Sequence, residues 1–219
     1  YFGFQLYFDF AGYSLMAIGL GTMFGFTFPQ NFNHPYISTS VSEFFRRWHM
    51  TLGDWFRSYL YIPLGGSRVS LKRLVANLLI VWFITGLWHG ADHQFVVWGL
   101  WLGLWVIIEK LWFHKIKLPM WFRHSLTMLI IFTSWSIFNA PSLSDWSLRF
   151  IQSSWLSPLQ VEGLMLRGGL GLIVLSIIFS GPWINSHFKA LSPRLQSAIY
   201  TFIFILSVAS LIHGSLNPF

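Results

Sequence analysis

The fold class of this chain is decided by residues 74–91, which read LVANLLIVWFITGLWHGA. The stretch contains no Lys, Arg, Asp or Glu, and about 20 mostly apolar residues suffice for a helix to cross the hydrocarbon core of a bilayer. Its single ionisable side chain, His89, lies near one end. The stretch therefore predicts a transmembrane helix.

The whole chain has the composition of a membrane protein. Of its 219 residues, 54% are hydrophobic and 10% are charged, and the mean hydropathy is +0.57. Because an open sheet edge is too costly in hydrocarbon, we expect helices throughout and a polytopic, all-α transmembrane protein. Apolar runs predict six spans, at about 1–28, 74–91, 95–108, 125–139, 164–181 and 197–213.

The 219 residues are expected to form one membrane domain, 1–219. The chain begins with Tyr1 inside an apolar run, so we expect a fragment, the C-terminal half of a longer protein. The absence of Cys excludes a disulfide scaffold and thiolate zinc sites.

The basic residues predict the topology. The formal net charge is +7, and twelve of the fourteen Lys and Arg lie in the connections 29–73, 109–124 and 182–196. Cytoplasmic loops carry such an excess, so these connections are assigned to the cytoplasm and the corner at 90–94 to the outside. The excess of Lys and Arg thus indicates the orientation of the chain in the membrane, and no nucleic acid partner is expected.

A mixed charged and aromatic segment, about 37–66, separates the first two spans. Within 41–60, charged side chains share one helical face and aromatic or apolar side chains another. The segment therefore predicts an amphipathic helix that is interfacial or re-entrant. The apolar face consists of Phe44, Trp48, Leu52, Trp55 and Tyr59.

Two histidines are candidate site residues. An ionisable group inside a span such as His89 is functional by default, and a neutral imidazole suits a general base. Gly86 and Gly90, one turn apart around His89, would leave room for a substrate. His49 falls on the apolar side of its helix, where a buried structural histidine and a functional one both fit.

Other polar positions carry weaker signals. His89 and His93 are four residues apart, but no third ligand stands at a recognisable spacing, so no metal site is predicted. Asp9 is expected to face the protein interior, because an unpartnered acid in a span is costly. Gly99 and Gly103 are expected to allow close helix packing.

Several motifs carry a resemblance to a known family. They are FDFAGYS (8–14), PQNFNHPY (29–36), FFRRWHMTL (44–52), YLYIPLGGSR (59–68) and GLWHGA (86–91). The chain resembles the membrane-bound O-acyltransferase family, and within it the bacterial alginate O-acetyltransferase branch, which includes acetylating proteins of peptidoglycan and exopolysaccharides.

The resemblance implies a many-helix membrane enzyme with a tunnel, an acyltransferase of the bacterial inner membrane. It would move an acetyl group from acetyl-CoA or another cytoplasmic acyl thioester to hydroxyls of an extracytoplasmic polysaccharide. By the same resemblance His89 is the catalytic base and His49 the second motif histidine, on the donor side. No bound cofactor or metal is implied, and a periplasmic or extracellular acyl-relay protein is an implied partner.

Two departures keep alternatives open. Leu15 stands where many alginate-type members carry an acid, which favours D-alanyl transfer to teichoic acid, and Asn139 stands where relatives commonly have Arg. A glycan or lipid transporter is the alternative from another class, although no inverted repeat is evident.

Overall fold

A computed structural model describes residues 2–113, 116–151 and 169–213. Within these ranges the chain is helical and contains no strand, as the composition predicts. The α-helices are α1 (Phe2–Met23), α2 (Val41–Arg47), α3 (Met50–Phe56), α4 (Leu71–His89), α5 (His93–Leu111), α6 (Met120–Phe138), α7 (Leu143–Ile151), α8 (Gly169–Ser180), α9 (Trp183–Lys189) and α10 (Pro193–His213).

Helices α4 and α5 pack closely against each other as a hairpin. Each has 19 residues, and each is long and apolar enough to cross a membrane. A Cβ added to Gly99 would lie 2.3 Å from the carbonyl oxygen of Trp82, and one added to Gly86 would lie 2.4 Å from that of Phe95. Only glycine permits so close an approach, which confirms the packing role predicted for Gly99.

The core lies where α2 and α6 pack against α5. Phe44 of α2, Leu102 of α5 and Ile131 of α6 are fully buried, and Trp98 is 1% exposed. An aromatic cluster extends this core, with the Trp48 and Trp135 ring centroids 4.9 Å apart. The core therefore joins the apolar hairpin to the short amphipathic helices.

The amphipathic segment is not the single helix that its periodicity predicts. Helix α2 ends at Arg47, His49 has a left-handed backbone conformation with φ 48°, and α3 begins at Met50. A π-helical turn, Arg57–Tyr61, follows α3 directly. The predicted apolar face is therefore divided: Phe44 and Trp48 are buried, whereas Trp55 and Tyr59 are exposed.

The remaining predicted spans are helical to different extents. The first and fourth correspond to α1 and α6, with 22 and 19 residues. The fifth is helical over the 12 residues of α8, while residues 164–168 lie outside the described ranges. The sixth corresponds to α10. The six-span topology and the single domain stay predictions.

By its internal contacts the chain divides into two compact units, Tyr1–Ser176 and Ile177–Phe219. In the second unit, α9 and α10 meet through Phe188 and Tyr200, whose ring centroids are 5.1 Å apart. Both candidate histidines lie in the first unit.

Candidate functional site

The first unit contains an open cavity of about 870 Å³ between α1, α2, α3, α4, α5 and α6. Its walls are largely aromatic, and charged side chains of the amphipathic segment line part of it. His49 and His89, 40 residues apart in the sequence, both line this one cavity. The structure thus brings together the two histidines that the sequence singles out.

His89 is the last residue of α4, and aromatic rings surround it. Its ring centroid lies 4.9 Å from that of Trp98 and 5.4 Å from that of Phe138, both in edge-to-face geometry. The neighbouring Trp88 lies at 4.9 Å. These three aromatic rings therefore pack around the imidazole beside the cavity.

His49 approaches the same cavity from the break between α2 and α3. Its ring lies edge-to-face with Phe10 at 4.7 Å, and Trp88 lies 6.1 Å away. Trp88 therefore borders both histidines. Burial lowers the pKa of His49 to about 4 from its ordinary value of 6.5, because desolvation disfavours the charged ring. The ring is neutral at physiological pH.

Asn31 contacts His49 from outside the cavity lining. Its Oδ1 lies 3.2 Å from Nδ1 of His49 and accepts hydrogen bonds from Thr51, from the hydroxyl at 3.0 Å and from the backbone N–H at 3.3 Å. Asn31 therefore connects the start of α3 to the side chain of His49.

Two carboxylates hold the start of helix α2, which leads into His49: Glu109 binds N–H groups of its first turn, and Glu43 binds the residue before its N-cap. Glu109 of α5 accepts hydrogen bonds from the backbone N–H groups of Val41 and Ser42 and, at 2.8 Å, from the Ser42 hydroxyl. Glu43 accepts from the backbone N–H of Thr39 at 2.9 Å. A carboxylate suits this position because the first N–H groups of a helix have no intrahelical partner.

Glu43 also pairs with Arg47, one turn further along α2, at 3.0 Å. Burial raises the pKa of Glu43, but the hydrogen bonds from Thr39 and Arg47 outweigh it, and the pKa lies below its ordinary value. The carboxylate is thus ionised where it stabilises α2.

Two sequence expectations are wrong. Gly86 and Gly90 do not leave room for a substrate, because added Cβ atoms would meet the backbone and the ring of Phe95 at 2.4 Å. Asp9 is exposed in the described structure and does not face its interior.

His89 and His93 lie on different helices, since α4 ends at one and α5 begins at the other. His93 is exposed, and Asp92 stands at the N-cap of α5 without a side-chain hydrogen bond to the helix. Among the described residues, no group of three or more His, Asp or Glu side chains is placed to hold a metal ion.

The model of the MBOAT, membrane-bound O-acyltransferase family, matches residues 1–144, the part of the chain that contains the cavity and both histidines. The chain belongs to this family. The match confirms the resemblance carried by the motifs around His49 and His89.

Named relatives fall into three groups. "Probable alginate O-acetylase AlgI" of Azotobacter vinelandii is 43% identical over 179 residues, covering 74% of this chain and 36% of that relative. "Peptidoglycan O-acetyltransferase" of Helicobacter pylori is 41% identical over 149 residues, covering 66% and 28%. "Teichoic acid D-alanyltransferase" of Streptococcus thermophilus is 35% identical over 123 residues, covering 53% and 30%. The chain spans about a third of the length of these relatives.

Sequence reasoning missed Asn31 and Glu109 as site residues. Both had a signal: Asn31 stands within the motif at 29–36, and Glu109 is a lone acid at the end of an apolar run. Neither signal indicates which residue is bound, because His49 lies 18 residues from Asn31 and Ser42 lies 67 residues from Glu109.

The two positions at which the sequence departs from the pattern of its relatives, Asn139 at the end of α6 and Leu15 on α1, are both exposed.

Proposed function

We propose that this membrane-bound O-acyltransferase transfers an acetyl group from a cytoplasmic acyl thioester to hydroxyls of an extracytoplasmic polysaccharide of the alginate, peptidoglycan or exopolysaccharide type. The observation that carries the proposal is the shared position of His49 and His89 in one aromatic-walled cavity. Support for the acceptor class comes from the names of relatives that are 41–43% identical.

In the proposed reaction, His89 is the general base. The acceptor hydroxyl oxygen attacks the thioester carbonyl carbon and forms the C–O bond, while its proton passes to a neutral ring nitrogen of His89. The tetrahedral intermediate collapses, the C–S bond breaks, and the thiolate takes the proton from His89. The products are an ester and a free thiol, so the base is regenerated.

His49 is proposed to act at the donor side of the cavity. The same lining includes Arg46 and Arg57, together with Asp54. These cations would attract an anionic thioester carrier such as acetyl-CoA. No bound cofactor or metal is part of the scheme. The proposed setting is a multi-pass protein of the bacterial inner membrane, with 29–73 cytoplasmic and an extracytoplasmic relay protein as a partner.

D-alanyl transfer to teichoic acid is the second candidate. It is favoured by the teichoic acid D-alanyltransferase relatives and by Leu15, which is 63% exposed on α1. The two candidates differ in their donor, which is acetyl-CoA or an acetyl carrier in one case and an aminoacylated carrier protein in the other.

The test measures transfer of labelled acetyl from acetyl-CoA to envelope polysaccharide in membranes containing the protein. His89→Ala and His49→Ala are compared with His93→Ala, a control at an exposed position outside the cavity lining. We expect loss of label for the two cavity variants and wild-type transfer for the control. Unchanged transfer by His89→Ala at equal protein level would refute the proposal.

If wild-type membranes transfer no label from acetyl-CoA, an aminoacylated carrier protein is offered next. Label transfer from that donor would establish the second candidate instead. If neither thioester transfers label in membranes that also contain the relay protein, acyl transfer is refuted, and uptake of labelled glycan into vesicles tests the transporter alternative.

A further inference from the structure

The side-chain atom of Asn31 that faces His49 must be the oxygen, Oδ1. The backbone N–H of Thr51 can only donate a hydrogen bond, and it lies 3.3 Å from Oδ1 of Asn31. The amide nitrogen of Asn31 is then the atom that faces Ser14, and it donates to Oγ at 3.3 Å. The orientation of the amide therefore follows from its partners, one from α3 and one from α1.

An oxygen at this position determines where the hydrogen of His49 lies. The carbonyl oxygen of Asn31 has no hydrogen to donate, so the Nδ1 atom that meets it at 3.2 Å carries the hydrogen. A neutral imidazole has a single N–H, so Nε2 keeps its lone pair. Of the two nitrogens, Nε2 is then the one able to accept a hydrogen bond.

Backbone hydrogen bonds hold the main chain on both sides of His49. The Met50 N–H donates to the carbonyl oxygen of Asn31 at 2.9 Å, and the Asn33 N–H donates to that of Arg47 at 2.9 Å. Between these two bonds the backbone of His49 has a φ of 48°, a value that residues other than glycine rarely adopt. Such a conformation persists only where the surroundings impose it, and it is often part of a functional site.

We propose that Asn31 is a positioning residue that fixes the Nδ1–H tautomer of His49 and so presents Nε2 to the cavity as a hydrogen-bond acceptor. The inference deepens the proposed function, on which it rests for the assignment of the cavity to acyl transfer. The substrate group recognised is a hydrogen-bond donor, an O–H or N–H of the acyl donor or acceptor. Asn31 itself does not line the cavity, so it acts through His49.

The tautomer is measured directly by long-range ¹H–¹⁵N NMR on the protein with ¹⁵N-labelled histidine, at a pH at which His49 is neutral. The signals of His49 are assigned by their loss in His49→Gln. We expect the Nδ1–H form in the wild type. The Nε2–H form in the wild type would overturn the proposal, whatever the behaviour of any variant.

Substitutions at Asn31 separate tautomer control from a structural contribution. Asn31→Asp retains an acceptor oxygen and should preserve the Nδ1–H form, whereas Asn31→Ala should populate the Nε2–H form and lower kcat by about 10- to 100-fold. Asn33→Ala is the matched control, because the Asn33 side chain is exposed and its backbone bonds are unaffected. An unchanged tautomer in Asn31→Ala would overturn the proposal.

Asn31→Asp also supplies a second signature. A carboxylate beside Nδ1 favours the protonated ring, so the acidic limb of the pH–rate profile should move to higher pH. The NMR measurement of the tautomer does not depend on enzyme activity, so it tests the role of Asn31 separately from the proposed function. If the wild type shows the Nδ1–H form but transfers no acyl group, the positioning role of Asn31 stands and the proposed function fails.

Discussion

Replacing Gly99 by Ala tests the packing of the α4–α5 hairpin. An added Cβ would lie 2.3 Å from the carbonyl oxygen of Trp82 and 3.1 Å from Cα of Gly86. The first distance is about 1 Å shorter than the 3.4 Å at which ordinary contact begins. Because the atoms that it meets belong to the backbone, no rotamer change relieves the clash, and the helices must separate.

The cost follows from two opposing effects. Overpacking a well-packed site costs about 1–3 kcal/mol, while Ala in place of Gly favours a helix by about 1 kcal/mol. Gly19→Ala is the matched control, because its added Cβ meets nothing within 4 Å and only the favourable effect applies. We therefore expect Gly99→Ala to be less stable than Gly19→Ala by about the overpacking cost, 1–3 kcal/mol.

Thermal unfolding in one detergent, followed on both variants, measures that difference. Activity supplies a second measurement, since α4 carries His89 and α5 carries Trp98, whose rings are 4.9 Å apart. A displacement of about 1 Å in a catalytic site can cost about 100-fold in rate, so a large loss is expected for Gly99→Ala alone. If Gly99→Ala is as stable and active as Gly19→Ala, the close approach of the hairpin is refuted.

Two further predictions concern the support of His49. Glu109→Gln should destabilise the protein by about 2–3 kcal/mol, because a charged acceptor of three hydrogen bonds is lost from the first turn of α2. Lys110→Gln, at the next and exposed position, should leave the midpoint of thermal unfolding unchanged, and an equal effect of both would contradict this role. For His49, burial lowers the folded-state pKa to about 4 from 6.5, so the unfolded chain binds the proton first as the pH falls. Stability should be insensitive to this group above pH 6.5 and decline as the pH falls from 6.5 towards 4. His49→Gln should reduce that decline in unfolding midpoints measured at pH 4.5–7.5, and an identical decline in both proteins would disprove the shift.

Much of the architecture was predictable from local patterns. Uncharged apolar runs predict the helices of the hairpin, since the backbone of such a run satisfies its hydrogen bonds within the helix. His89 was recognisable because an ionisable side chain at the end of an uncharged run is unusual. The residues around both histidines also carried the family resemblance, which the match over residues 1–144 confirms.

The failures share a physical cause. The periodicity of 41–60 is helical on both sides of His49, but it contains no sign of the break at φ 48°. That break depends on hydrogen bonds with residues 31–33, which approach only when the chain folds back. Likewise, the spacing of Gly86 and Gly90 around His89 predicts room for a substrate, whereas the space beside them is occupied by Phe95 of the next helix.

The sequence alone thus determined the helical class and the apolar hairpin and identified the two histidines as candidates, because each of these depends on composition or on spacing within one segment. Tertiary structure decided what those histidines meet. His49 and Asn31 are 18 residues apart, and Ser42 and Glu109 are 67 apart. Hydrogen bonds over such separations produce no periodic pattern in the sequence, since they depend on how distant segments pack and not on the order of neighbouring residues.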